Sequence, residues 1–267
     1  MKTEIVYEDR DILVCRKPAG LAVQSARASQ MDMESELRNY LRGGGLHVIH
    51  RLDQPVEGLL VFAKSRDAAA KLEAQMRDQT MRKYYRALAC GRMPQTEGEL
   101  IDRIVKTGNG VAEIVTAETR AAQEGNGVAE IAAGSVENGS QKVAGADLSI
   151  KRAAESGTVQ KRQQDGVNAS AKRAALSYQV VSYDADIGVT DVKICLQTGR
   201  FHQIRLQFSH AGHPLVGDRK YGDETAWALA ETLGLSHVAL CAERLCFLHP
   251  GTGKEMDFCI TPTFHKK

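Results

Sequence analysis

The pattern of apolar residues predicts short β-strands along most of the chain. Two runs near the start, residues 4–7 and 12–16, predict a hairpin, because Lys17-Pro18-Ala19-Gly20 ends the second run with a turn signal. After Gly58, a continuous apolar run over residues 59–63 predicts a buried strand. The same criteria predict further strands at residues 81–90, 176–183, 190–197, 238–248 and 256–260.

Three segments have the composition of helices, namely residues 33–41, 66–78 and 201–211. Asp32 and Ser65 precede the first two and are typical N-cap residues. Strands outnumber helices and occur in adjacent pairs along the chain. This order predicts an α+β fold, in which helices and loops flank a mixed, mainly antiparallel β-sheet.

Residues 108–168 differ from the rest of the chain, since they contain no aromatic residue, proline or cysteine. Such a segment cannot easily build its own core, so we expect a single domain over residues 1–267 with a flexible, dispensable insertion over 108–168. Basic pairs within and just after the segment leave a basic arm open as an alternative: Lys151-Arg152, Lys161-Arg162 and Lys172-Arg173.

Composition favours a cytoplasmic protein, and the net charge excludes few classes of binding partner. The six cysteines form no Cys-x-x-Cys pair, which is typical of reduced thiols. No apolar run approaches the roughly 20 residues that a membrane helix needs, and the N-terminus lacks the apolar region of a signal peptide. The net charge of +2 is too small to demand an anionic partner, so nucleic-acid binding must be argued from sites.

The clearest candidate for chemistry is Asp53, which lies in a turn before the buried strand at residues 59–63. Pro55 disfavours helix for the residue before it, so the carboxylate is expected at a loop tip held by a rigid strand. A carboxylate in that position is a candidate nucleophile. The alternative is an ordinary surface pair between Asp53 and Arg51.

Two further segments combine polar side chains with an apolar support. Tyr84 and Tyr85 point to opposite faces of their predicted strand, so one is core and the other can stack on a ring. His202 and Arg205 share a face if their segment is helical. A guanidinium that reaches Asp53 would keep the carboxylate ionised and oriented.

Other site classes lack their motifs. The histidines at 47 and 50, or at 202, 210 and 213, have no cysteine partner and no HExxH spacing, so we expect no metal. No glycine-rich loop has phosphate-binding spacing, and no Gly-x-Ser-x-Gly elbow is present. Basic residues near the tyrosines leave open an RNA-binding groove without catalysis: Lys17, Lys83, Arg86, Arg200 and Arg205.

Together these segments resemble the motifs of RNA pseudouridine synthases of the ribosomal large-subunit pseudouridine synthase A type. The first motif is His50-Arg51-Leu52-Asp53 with Gly58-Leu59-Leu60, and the second is Lys83-x-Tyr85-x-Ala87 with Gly91. The third is Thr198-Gly199-Arg200-x-His202-Gln203-Ile204-Arg205, followed by Gly212-x-Pro214, Gly217-Asp218 and Tyr221-Gly222. Lys17-Pro18-Ala19-Gly20 also fits, so the resemblance covers nearly the whole chain except the insertion.

The resemblance implies the pseudouridine synthase catalytic fold and an isomerase that converts specific uridines in ribosomal or transfer RNA to pseudouridine. Asp53 would be the nucleophile, Tyr85 would stack on the uracil, and Arg205 would pair with Asp53. The remaining motif residues would contact the RNA, namely Arg51, His50, Lys83, Arg200, His202 and Gln203. No cofactor or metal would be required, and RNA would be the partner of a protein that we expect to be monomeric.

The chain departs from the family pattern at two places near the expected site. Val56-Glu57 stands where many members have a Thr-Ser pair, and Gln207 stands where many have histidine. Glu57 places a second acid near Asp53 in sequence, and RNA choice can differ as a result. We also expect no separate N-terminal RNA-binding domain. The alternative function is a catalytically inactive RNA-binding or ribosome-assembly factor of the same fold.

Overall fold

A computed structural model describes residues 2–25, 30–107, 110–115 and 171–265. The chain forms two compact units, one comprising Met1–Ile101 and Ala174–Lys267 and the other comprising Asp102–Arg173. The first unit contains every segment to which the sequence assigned chemistry. Most of the predicted insertion lies outside the described residues, so its flexibility and its dispensability stay predictions.

The described part of the chain contains both strands and helices in the order that the apolar pattern indicated. The strands are β1 (Glu4–Glu8), β2 (Ile12–Lys17), β3 (His47–Val48), β4 (Glu57–Ala63), β5 (Arg82–Cys90), β6 (Glu97–Lys106), β7 (Ala112–Ile114), β8 (Lys172–Asp184), β9 (Val189–Leu196), β10 (Leu240–Leu248) and β11 (Glu255–Cys259). The helices are α1 (Met33–Tyr40), α2 (Arg66–Arg77), α3 (Gln203–His210) and α4 (Glu224–Thr232). Among the described residues, no helix combines the length and the apolar character needed to cross a membrane.

The first unit is built on one sheet whose strands follow the order β1, β2, β4, β10, β5, β9 and β8, with β11 on β10 and β3 on β4. The strand pairs are antiparallel except that β4 and β10 run parallel. The predicted α+β class with a mainly antiparallel sheet is therefore confirmed. In the second unit, β7 pairs with the end of β6, although its residues fall within the predicted insertion.

Both faces of the sheet are buried at β2 and β4. On one face, Leu13 and Phe62 join residues of α1 and α3 in the main core. On the other face, Ile12 and Val61 pack with α2. Since a strand alternates its side chains between the two faces, the continuous apolar run of β4 is explained by this double burial. Tyr85 of β5 belongs to the main core, on the face that also carries α3.

The parallel contact between β4 and β10 depends on a glycine. Gly58 pairs with Ala242 and has φ of +137°, and a Cβ built on it would lie 2.4 Å from the backbone nitrogen of Ala242. Only glycine tolerates this conformation and this approach of two backbones. The close pairing holds β4, the strand that follows Asp53, against β10 from the C-terminal part of the chain.

Candidate active site

Asp53 occupies a turn that is fixed at both ends. Leu52 before it is buried, and after it the amide of Val56 donates a hydrogen bond to the Asp53 carbonyl at 3.1 Å. The Asp53 side chain keeps 23% of its surface exposed. A partly exposed carboxylate is thus held at the entrance to a rigid buried strand, in the position that the sequence predicted.

Arg205 joins Asp53 to a second acid from a distant part of the chain. Arg205 Nη1 donates to Asp53 Oδ2 at 3.3 Å, while Nε and Nη2 donate to the two carboxylate oxygens of Asp218 at 2.7 and 2.6 Å. The Arg205 side chain is only 5% exposed. The two shorter bonds form a bidentate fork, which fixes the plane of the guanidinium and aims its remaining edge at Asp53.

Asp218 is itself held by several hydrogen bonds, and only its place in the third motif indicated a role for it. Its Oδ1 also accepts hydrogen bonds from the amides of Lys220 and Tyr221, at 2.9 and 3.0 Å. Burial alone would raise the pKa of Asp218, but the hydrogen bonds and charge of Arg205 and the two amides hold it below the ordinary value. Asp218 is therefore an ionised, buried anchor for Arg205.

His202 lies beside the carboxylate but does not form an ion pair with it at neutral pH. Its Nε2 is 3.8 Å from Asp53 Oδ2, beyond hydrogen-bond length, and its Nδ1 is 2.7 Å from the hydroxyl of Tyr221. Burial lowers the pKa of His202 to about 4, so the imidazole is neutral at pH 7. Its ring stacks on that of Phe201, with centroids 3.7 Å apart.

The predicted helix over residues 201–211 begins later than expected because of His202. This residue is the N-cap of α3 and has the left-handed φ of +53°, a conformation that few residues other than glycine adopt. His202 and Arg205 therefore do not share a helical face in the way the spacing predicted. Both nevertheless reach toward Asp53, one from the turn before α3 and the other from its first turn.

Lys17 ties the Asp53 turn to the loop that follows β2. Its ammonium is fully buried and donates to the carbonyls of Pro18, Leu21 and Gln54 at 3.0, 2.7 and 3.0 Å. Burial lowers the pKa of Lys17 to about 7, against the opposing effect of the negative charge of Asp53. Since Gln54 follows Asp53 in sequence, the hydrogen bond from Lys17 to the Gln54 carbonyl restrains the turn that carries Asp53.

Tyr85 is the buried member of the tyrosine pair. It is 6% exposed, and its hydroxyl has no hydrogen-bond partner among the described residues. Burial, together with the charge of Asp53, raises the pKa of Tyr85, so the phenol stays neutral. Tyr84 points to the other face of β5, where Arg244 lies 5.7 Å from its ring. The ring that the resemblance assigned to uracil stacking is therefore on the Asp53 side.

Two other residues that the resemblance assigned to RNA contact, Arg51 and His50, lie apart from the Asp53 carboxylate. Arg51 is exposed and its Nη1 is 3.5 Å from Gln24 Oε1, and within the described ranges it makes no ion pair with Asp53. The local surface pair of Asp53 and Arg51 is thus absent. His50 is buried, its Nε2 lies 3.4 Å from the amide of Val61, and burial lowers its pKa to about 3.

The side-chain amide of Gln203 forms hydrogen bonds with other groups of the protein. Its Nε2 donates to the Ala175 carbonyl at 3.0 Å and to Gln207 at 2.9 Å, and its Oε1 accepts from Thr198 and from the amide of Arg200 at 2.8 and 2.9 Å. All four positions of the amide are occupied. This geometry favours support of the loop before α3, although direct substrate contact was predicted.

At the two departures from the family pattern, the side chains of Glu57 and Gln207 are hydrogen-bonded to residues other than Asp53. Glu57 accepts from Arg16 at 3.1 Å and from the Thr263 hydroxyl at 2.9 Å, so it anchors the C-terminal segment and does not crowd Asp53. Gln207 is fully buried under Gln203. In the described part of the chain, one His/Asp cluster has metal-binding spacing, comprising Asp9, Asp11 and His249, and it involves none of the site residues.

The assembled site has a defined chemical capacity. One accessible carboxylate is oriented by a buried guanidinium that a second carboxylate neutralises, with a neutral imidazole and a neutral phenol nearby. Such a carboxylate can attack an electrophilic carbon while the apolar faces of the rings receive a planar base.

Comparisons with known proteins identify the family and the fold of the chain. The model of the RNA pseudouridylate synthase family matches residues 11–210. The chain is 30% identical to ribosomal large subunit pseudouridine synthase D of Zymomonas mobilis, over 96% of this chain and 68% of that protein. It is 29% identical to the dual-specificity RNA pseudouridine synthase RluA of Yersinia pestis, over 95% and 96%. Human RNA pseudouridylate synthase domain containing 1 shares the fold, with a TM-score of 0.65 and 20% identity over 97% of this chain and 83% of that chain.

Proposed function

This chain belongs to the family of RNA pseudouridine synthases, isomerases that convert uridine in RNA to pseudouridine, and from that premise we propose that Asp53 is its nucleophile. The observation that carries the proposal is the 3.3 Å contact between Asp53 and the buried Arg205, which holds an accessible carboxylate in one orientation. The same contact argues against the alternative of an inactive RNA-binding factor, because a protein without catalysis has no need of an oriented carboxylate there.

In the proposed reaction an Asp53 oxygen attacks either the ribose anomeric carbon or carbon 6 of the uracil. The bond between the anomeric carbon and nitrogen 1 breaks, the uracil turns within the site, and a bond forms from the anomeric carbon to carbon 5. The hydrogen of carbon 5 is lost as a proton, nitrogen 1 gains one, and the carboxylate is released. The reaction is an isomerisation, so it consumes no cofactor.

The neighbouring side chains have separate roles in this proposal. Arg205 orients the carboxylate, and Tyr85 offers the face of a neutral ring to the turning uracil. The target base must leave its stack to reach Asp53, at a cost of a few kcal/mol that stacking and phosphate contacts offset.

The substrate class is proposed from the relatives. The printed names of the similar proteins cover ribosomal large subunit RNA, a dual specificity and, for a Pasteurella multocida protein 27% identical to this chain, transfer RNA. We therefore propose a uridine in ribosomal or transfer RNA as the substrate. A cytoplasmic location and a monomeric state belong to the same proposal.

Replacing the nucleophile tests the proposal directly. Asp53→Asn keeps the shape of the side chain but removes the attacking charge, so pseudouridine formation should fall at least about 1,000-fold. The measurement is the release of tritium from carbon 5 of labelled uridine in ribosomal and transfer RNA transcripts.

The matched control is Asp67→Asn, which removes an exposed carboxylate of α2. This control should keep the wild-type rate, and circular dichroism should be unchanged in both variants. An Asp53→Asn protein that turns over normally would exclude Asp53 as the nucleophile. Wild-type protein that binds both RNAs without forming pseudouridine would instead support the inactive-factor alternative.

A further inference from the structure

A cavity of about 430 Å³ lies beside the loop that leads into α3. Its walls come from the end of α2, the start of β5 and the segment after β9. The lining contains no carboxylate but includes four cations, namely Arg77, Arg82, Lys83 and Arg200. A concave surface lined by one sign of charge concentrates ligands of the opposite sign.

Lys83 is the innermost of these cations. Its side chain is half-buried, its ammonium has no hydrogen-bond or ion-pair partner in the described part of the chain, and partial burial lowers its pKa. Its Nζ lies only 3.6 Å from the position that a Cβ on Gly199 would occupy. A partly desolvated ammonium that has no protein partner gains free energy from a bound anion.

Several other polar groups of the lining are already engaged. Thr198 donates to Gln203 at 2.8 Å, and Gln197 donates to Glu99 at 2.9 Å. Arg77 lies 3.7 Å from Asp78, on the exposed side of α2. A ligand in the cavity would therefore be held chiefly by charge, with Lys83 at its centre.

The cavity adjoins the Asp53 site without being part of it. Lys83 and Tyr85 are two residues apart on β5, so they lie on the same face at a spacing of roughly 7 Å. Arg200 precedes His202 by two residues, which limits their Cα separation to about 7.6 Å. His202 in turn lies 3.8 Å from Asp53. A nucleotide whose base reaches Tyr85 and Asp53 would thus bring a neighbouring backbone group to the cavity.

We propose that this cavity binds a backbone phosphodiester of the RNA next to the target uridine, with Lys83 as the central cation. The proposal rests on the proposed function, since it is the RNA held at Asp53 that delivers the phosphate. Phosphate contacts of this kind fix the register of a nucleic acid on a protein without reading its sequence. Lys83 would therefore position the substrate and would take no part in bond rearrangement.

Charge removal at Lys83 provides the first test. In an Asp53→Asn background, which prevents turnover, Lys83→Met should weaken binding of a substrate RNA about 10-fold at low salt. The slope of log affinity against log salt should fall by roughly 0.7, the value for one phosphate of a single strand. With Asp53 intact, Lys83→Met should raise KM and leave kcat nearly unchanged.

The matched control is Lys254→Met, which removes an exposed lysine in the turn between β10 and β11. It should change neither the affinity nor the salt slope. Because a buried substitution can disturb folding, Lys83→Arg and the exposed Arg82→Gln are measured in parallel, with thermal unfolding of each. Lys83→Arg should keep the salt slope, and Arg82→Gln should weaken binding in the same sense as Lys83→Met.

A second test identifies the phosphate and separates it from a free anion. Neutral methylphosphonate groups are placed one at a time along the RNA. One position next to the uridine should weaken binding to the Lys83 protein, and the same position should have no further effect on the Lys83→Met protein. If inorganic phosphate stabilises the protein through Lys83 but no methylphosphonate position matters, the cavity binds a free anion and the proposal is overturned.

Failure of the phosphodiester site is distinguishable from failure of the proposed function. Wild-type protein that forms pseudouridine while Lys83→Met and Lys254→Met behave alike overturns the phosphodiester site alone. Wild-type protein without pseudouridine formation overturns the proposed function.

Discussion

Arg205 divides its hydrogen bonds unequally between two carboxylates, and the inequality favours reactivity. Its bonds to Asp218 measure 2.7 and 2.6 Å, whereas its bond to Asp53 measures 3.3 Å. The shorter pair neutralises most of the guanidinium charge and fixes its position. Asp53 is consequently oriented by a weak contact, which leaves its oxygens available for the proposed attack.

Asp218→Asn tests whether the unequal hydrogen bonding of Arg205 matters for activity. The amide keeps the shape of the side chain but gives up one charge, so Arg205 is expected to turn toward Asp53 and to pair with it more strongly. We expect kcat to fall about 10- to 100-fold, as supporting residues of active sites do, while KM changes little. The measurement is steady-state pseudouridine formation together with thermal unfolding.

Asp223→Asn is the control for Asp218→Asn. Asp223 is the N-cap of α4 and accepts a hydrogen bond from Ala226, a role in which asparagine is equally effective. This control should retain wild-type kcat. A change in KM alone in Asp218→Asn would contradict the positioning role.

At single residues, the sequence indicated which candidate side chains come together better than it indicated their surroundings. The order of motifs singled out Asp53 and Arg205, which the structure brings within 3.3 Å. The anchoring of Arg205 by Asp218 and the three carbonyl contacts of Lys17 depend on how loops fold onto each other. Gln203 illustrates the limit, because sequence spacing cannot tell whether an amide faces a ligand or its own backbone.

At the scale of elements, the parallel pairing of β4 with β10 is the most demanding contact of the sheet. Gly58→Ala would place a Cβ 2.4 Å from the backbone nitrogen of Ala242, at a φ of +137°. Backbone atoms in a central strand cannot move aside, so we expect a loss of at least about 3 kcal/mol in the free energy of unfolding. Urea unfolding of the purified protein measures it.

Gly253→Ala separates backbone strain from the close approach of two strands. Gly253 also has a positive φ, +72°, but no atom lies within 4 Å of its added Cβ. Its replacement should cost only about 1 kcal/mol. Equal losses for the two variants would contradict the role assigned to Gly58.

Element prediction succeeded where a local signal existed. The predicted caps Asp32 and Ser65 accept hydrogen bonds from Ser35 and Ala68, as N-caps should. The sequence missed β3, β6, β7 and α4. The sequence of β6 mixes charged and apolar residues in a pattern that does not distinguish a strand from other structures. Its formation as a strand depends on partner strands that are distant in sequence. Helix α4 did carry a signal, an N-capping Asp223 before alanines.

At the scale of the whole molecule, two buried histidines make stability sensitive to acid. The pKa of His202 is lowered to about 4 and that of His50 to about 3, in both cases mainly by burial. Between pH 6.5 and 5 the unfolded chain binds protons at these positions that the folded protein does not. Stability should therefore fall as pH falls, by up to about 1.4 kcal/mol per pH unit for each histidine.

Urea unfolding at several pH values between 6.5 and 5 checks this expectation. His202→Gln should remove close to half of the slope, because glutamine takes up no proton in this range. A slope that is the same in wild-type and His202→Gln proteins would show that other groups are responsible. The window lies above the pH at which the paired carboxylates, such as Asp218, lose their charge.

The fold class followed from the sequence because pairs of neighbouring strands are a local feature. The order of strands in the sheet did not follow, since β10 inserts between β4 and β5 from nearly the other end of the chain. The single-domain interpretation and the dispensable insertion over residues 108–168 stay predictions.

The bond between Arg205 and Asp53 joins residues 152 positions apart, which has a consequence for when the protein acquires activity. At about 5–20 residues per second, a ribosome adds Arg205 roughly 8–30 s after Asp53. During that interval the nascent chain carries the proposed nucleophile without the guanidinium that orients it. If Asp53 acts as proposed, RNA modification by this protein can therefore begin only after Arg205 has been added.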